Sequence, residues 1–94
     1  MYVRAVRFTD VSSDRMQQLL ARVREAGGPP PGVNSKGLKV LFDDGQGTAV
    51  VLQEFQTAQD MEAGAKVFDA MDPSETPGTR ASVDSCELKL EVEA

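Results

Sequence analysis

Two polar side chains, Arg4 and Gln53, interrupt runs that are otherwise apolar on one side. Arg4 alternates with Tyr2, Val6 and Phe8, and Gln53 with Val51 and Phe55. A guanidinium or an amide in an apolar layer is costly unless it is paired, so each requires a partner, a water or a ligand. One reading is a small cleft in which Arg4 holds an acidic or carbonyl group and Gln53 orients it, with Asp84 as counter-ion. The other is structural: Arg4 snorkels to the sheet edge and Gln53 bonds a loop carbonyl.

Other reactive groups are few. The chain contains no histidine and no tryptophan, which removes an imidazole base, a histidine metal site and a Ser-His nucleophile pair. The single cysteine, Cys86, falls among apolar alternating positions and reads as a buried, inert thiol. Asp43 and Asp44 lack a third ligand at calcium-loop spacing, and Gly45-Gln46-Gly47 is too short to cradle a phosphate. No catalytic residue, metal or cofactor is assigned.

The 94 residues carry a net charge of −5. That charge argues against nucleic acid and anionic membrane surfaces, which need a basic face. There is no apolar run long enough for a membrane span and no signal-peptide pattern, and a lone cysteine suits a reducing compartment, so a cytoplasmic location is expected.

The elements that would position Arg4 and Gln53 come as a pattern written twice. Strands are predicted at Tyr2 to Phe8, Gly37 to Phe42, Thr48 to Phe55 and Val83 to Val92. Helices are predicted at Ser12 to Ala26, stopped by Gly27 and Gly28, and at Thr57 to Met71, ended before Asp72-Pro73. Asp43 to Gly47 supply a hairpin, and Pro29 to Pro31 open a long extended connector reaching Asn34 and Ser35. The order βαββαβ gives an α+β, ferredoxin-like domain spanning residues 1–94, its sheet ordered 4-1-3-2 with both helices on one face. Gly64 costs about 1 kcal/mol in a helix interior, so it serves either a cavity or a close approach of the second helix to the sheet.

Alternation divides the sheet into two faces. Tyr2, Val6, Phe8, Leu38, Val40, Phe42, Ala49, Val51 and Phe55 form the helix-covered set, together with Cys86, Leu88, Leu90 and Val92. The opposite face carries Val3, Ala5, Leu41, Val50 and Leu52 near its middle, with Arg7, Lys39, Glu54, Glu87 and Lys89 around them. An apolar centre with a polar rim is interface anatomy, so a homodimer paired sheet to sheet is expected.

In element order, length and face pattern the chain resembles the dimeric α+β barrel superfamily, whose ferredoxin-like subunits pair in this way. The resemblance spans nearly the whole chain and rests on no sequence motif. It implies a ligand site between the helices and the sheet of each subunit. Its members include monooxygenases of antibiotic biosynthesis that use no cofactor, haem-degrading enzymes, muconolactone isomerases and relatives of chlorite dismutase. The first two branches typically place tryptophan, and often histidine, near the substrate, and this chain has neither. Three functions are therefore carried forward. They are a homodimer binding a small anionic or carbonyl-bearing ligand, an interaction or regulatory module with a fully packed core, and a cofactor-independent monooxygenase or isomerase.

Overall fold

The computed structural model describes residues 1–94. Strand β1 (Tyr2–Thr9) leads into helix α1 (Ser13–Ala26), strands β2 (Gly37–Asp43) and β3 (Thr48–Phe55), helix α2 (Ala58–Asp69) and strand β4 (Thr79–Glu87). The four antiparallel strands form one sheet in the order β2-β3-β1-β4. This is the expected ferredoxin-like α+β architecture. No helix is long and apolar enough to cross a membrane.

Both helices begin where a hydroxyl meets an orphan amide. Ser12 accepts from the Arg15 N–H at 3.2 Å and Thr57 from the Asp60 N–H at 3.1 Å. Gly27 closes α1 in the left-handed region at φ 68°, donating its N–H to the Val23 carbonyl. A short 3-10 turn at Pro73–Glu75, capped by Asp72, lies between α2 and β4.

The core is a layer of Val6, Phe8, Ala49 and Val51 from the central strands, closed by Met16 of α1 and by Val11. Phe55 is fully buried. It explains Gly64, because a Cβ there would stand 2.8 Å from the Phe55 ring, far inside van der Waals contact. The glycine thus permits close approach of α2 to the sheet. Helix α1 is held differently, by Met16 and the partly buried Leu19 and Leu20 on its inner side. At its flank, the Arg15 and Arg22 side chains donate to the Thr76 and Glu75 carbonyls at 2.6 and 2.5 Å.

The last strand departs from expectation. It starts at Thr79 and ends at Glu87, earlier at both ends than the predicted Val83 to Val92. The reason is its neighbour: β1 begins at Tyr2, which pairs with Glu87, and one further bond from the Leu88 N–H to the Met1 carbonyl completes the ladder. The β1–β4 ladder ends there. Leu88, Leu90 and Val92, expected in the core, are exposed, the last two by more than three quarters. Register also moves Cys86 to the open face, where it pairs with Val3 and is exposed rather than buried. Glu87, expected on the open face, pairs with Tyr2 of the helix-facing set.

Candidate functional site

Arg4 and Gln53 are adjacent in the β1–β3 register and face the helices. Both are buried, Arg4 with only 2% of its surface exposed. The Arg4 Nη1 donates to Gln53 Oε1 at 2.9 Å and its Nη2 to Asp69 Oδ1 at 2.9 Å, while its Nε–H has no acceptor. The guanidinium lies 5.6 Å from the centroid of the Phe68 ring, within cation–π range. Burial lowers its pKa from the ordinary arginine value; Asp69 opposes that shift and the charge of Arg80 adds to it. An arginine nevertheless stays protonated, so the fold carries a buried positive charge here.

Asp84 is not the counter-ion. It pairs with Ala5 on the open face and is exposed, because Val83, not Asp84, stands opposite Val6 on the helix side. Asp69, in the last turn of α2, takes that role. Its Oδ1 also accepts from Arg80 Nη1 at 2.7 Å, so one carboxylate oxygen serves two guanidinium groups. Asp69 is half exposed, and the pair straddles the boundary between core and solvent.

Arg80 reaches this cluster because of a β-bulge. Ser82 pairs with Arg7 and Arg80 with Phe8, leaving Ala81 without a partner. Strict alternation from Val83 would turn Arg80 to the open face; the extra residue returns it to the helix side. Bulges commonly re-aim a side chain in this way.

Above Arg4 and Gln53 the core is not filled. A cavity of about 730 Å³ lies between α1 and the sheet, floored by Val6, Val51 and Gln53 and walled by Leu19 and Val23 of α1. The proline connector, Phe68 and Met71 of the α2 end, and the Glu75 to Pro77 segment complete it. That size falls within the range of about 300–1,000 Å³ usual for small-molecule sites. The wall contains four cations, Arg4, Arg22, Lys36 and Arg80, against a single carboxylate, Glu75. Neither Arg22 nor Lys36 takes part in an ion pair.

Sequence reading finds Arg4 and Gln53 because they break an apolar alternation. It misses Asp69, Arg80, Arg22 and Lys36, which lie on helix surfaces, a bulge and a loop where polar residues are ordinary. The remaining candidates do other work: Asp43 accepts from the Gln46 backbone and side-chain nitrogens within the hairpin, and Asn34 donates to Asp60 at 3.1 Å, tying the connector to α2.

On the open face, Val3, Ala5, Val50 and Leu52 are half-buried and Leu41 is 52% exposed. Lys39 and Glu54 form an ion pair at the edge of this patch, which raises the Lys39 pKa, first through the hydrogen bond. Comparison with known protein families, with characterised proteins and with solved structures returns no match for this chain.

Proposed function

We propose that this chain is a homodimeric small-molecule-binding protein of the dimeric α+β barrel type, holding an organic ligand between α1 and the sheet of each subunit. One observation carries the reading: the space of about 730 Å³ whose floor includes the buried Arg4 and Gln53. An interaction module would fill that volume with side chains, since an empty apolar space forfeits dispersion and hydrophobic contacts. Arg4 supplies donors for an anionic or carbonyl oxygen and Gln53 fixes the guanidinium, while the apolar walls take the body of the ligand. A second copy covers Val3, Ala5, Leu41, Val50 and Leu52, which form an apolar centre among charged neighbours.

The test is occupancy of the cavity. The fluorescence of 1-anilinonaphthalene-8-sulfonate, an apolar aromatic anion, should rise on binding to one saturable site per chain. The substitution Leu38→Trp, on the cavity wall, should abolish that rise with the far-ultraviolet circular dichroism unchanged. Equal enhancement in the variant would place the dye elsewhere and defeat the assignment.

A further inference from the structure

Beyond the presence of a ligand, and resting on that reading, the charges around the cavity specify what kind. The chain as a whole is acidic, at −5. The cavity wall is the reverse, with four cations to one carboxylate. Arg4 and Arg80 share one oxygen of Asp69, and Arg22 and Lys36 have no acidic partner. Segregating positive charge into a concave apolar space raises the local concentration of anions, because low-dielectric walls focus the field. The same arrangement repels a cation and gives a neutral molecule no advantage.

We propose that the ligand is an amphipathic organic anion, with an extended apolar body and one acidic head group. The body lies against Val6, Leu19, Val23, Val40 and Val51, and the head meets the cations distributed around the wall. Arg22 and Lys36 contribute most to selecting it, since no carboxylate of the protein competes for them. Arg80 contributes through the Ala81 bulge, which turns it toward the cavity. A carbonyl compound without charge would leave these cations unanswered, which disfavours the neutral member of the ligand classes considered.

Displacement of 1-anilinonaphthalene-8-sulfonate by three ligands of equal chain length tests this. Decanoate, decanol and decyltrimethylammonium share an apolar body and differ in the charge of the head. Decanoate should displace the dye at a concentration about tenfold lower than decanol, the fold-change of one favourable charged contact, with decyltrimethylammonium weakest. Lys36→Gln and Arg22→Gln should each reduce the ratio of the decanol to the decanoate midpoint, a ratio in which the affinity of the anionic dye cancels. Equal displacement by decanoate and decanol, or preference for the cation, overturns the anion assignment while the cavity remains a binding site. Failure of the dye and all three ligands to bind overturns the cavity reading itself.

Discussion

Arg4 and Asp69 are joined across the α2–β1 boundary by a hydrogen-bonded ion pair of 2.9 Å, with the arginine buried and the aspartate half in solvent. The pair reports how the fold tolerates its internal cation. Burial disfavours the charged guanidinium, and Asp69 only partly offsets that. Two variants should therefore differ in stability. Asp69→Asn, which leaves Arg4 charged and less well paired, should cost about 1–3 kcal/mol in urea unfolding. Arg4→Met combined with Gln53→Leu, which removes the charge and its amide partner together, should be neutral or stabilising by up to about 2 kcal/mol. The same double variant should lose dye binding. A large loss of stability in it would make the cluster structural.

The bulge at Ala81 keeps Arg80 on the helix side, opposite Phe8, and Arg80→Gln tests what that placement does. The variant should lose the charged bond to Asp69. Decanoate binding should weaken by about tenfold, the magnitude of one charged contact, with decanol binding unaltered. Unchanged decanoate affinity would show that Arg80 takes no part in selecting the head group.

The open face makes a prediction about mass. Light scattering should give twice the 10.1 kDa of one chain. Leu52→Asp should return it to the single-chain value, because a dimer would bury an unpaired carboxylate at its centre. A mass unaffected by the substitution would remove this face from the interface.

Asp72 supplies a pH dependence with a definite sign. Its carboxylate accepts from the Ser74 N–H at 2.9 Å, which holds its pKa below the usual carboxylate range. A carboxyl group whose folded pKa is lowered stabilises the fold above its unfolded pKa, and that contribution disappears as pH falls through the folded one. Asp72→Asn keeps a capping acceptor without a titrating charge. The variant should be slightly less stable than the native chain at neutral pH, and the gap should close on acidification below about pH 4. Thermal melts between neutral and acidic pH measure the gap, and one that widened in acid would contradict the assignment.

Much of this architecture is legible from residue order, and the exceptions share a cause. Alternation marks Val6, Phe8, Val51 and Phe55 as one face and sets Arg4 and Gln53 among them, because a strand's two-residue period is local information. The extent of β4 is not local. Cys86, Leu88, Leu90 and Val92 alternate as a core strand does, yet a ladder ends where its neighbour ends, and β1 starts at Tyr2. The same run of apolar residues outweighs the single Val83 in setting the parity, which puts Asp84 on the wrong face. Asp69 meets Arg4 across 65 residues, a proximity that only α2 packing creates. The presence of Arg22, Lys36 and Arg80 around one cavity likewise depends on a helix, a loop and a bulge placed by the complete fold.

The substitution of a hydrogen for a side chain at Gly64 has a result that reaches past its own helix. In the second half of the repeat the helix is seated directly on Phe55. The first half, propped on Met16 and strapped by two arginines, is left with the room. What reads as a repeat is thus unequal in packing, tight under one helix and hollow under the other.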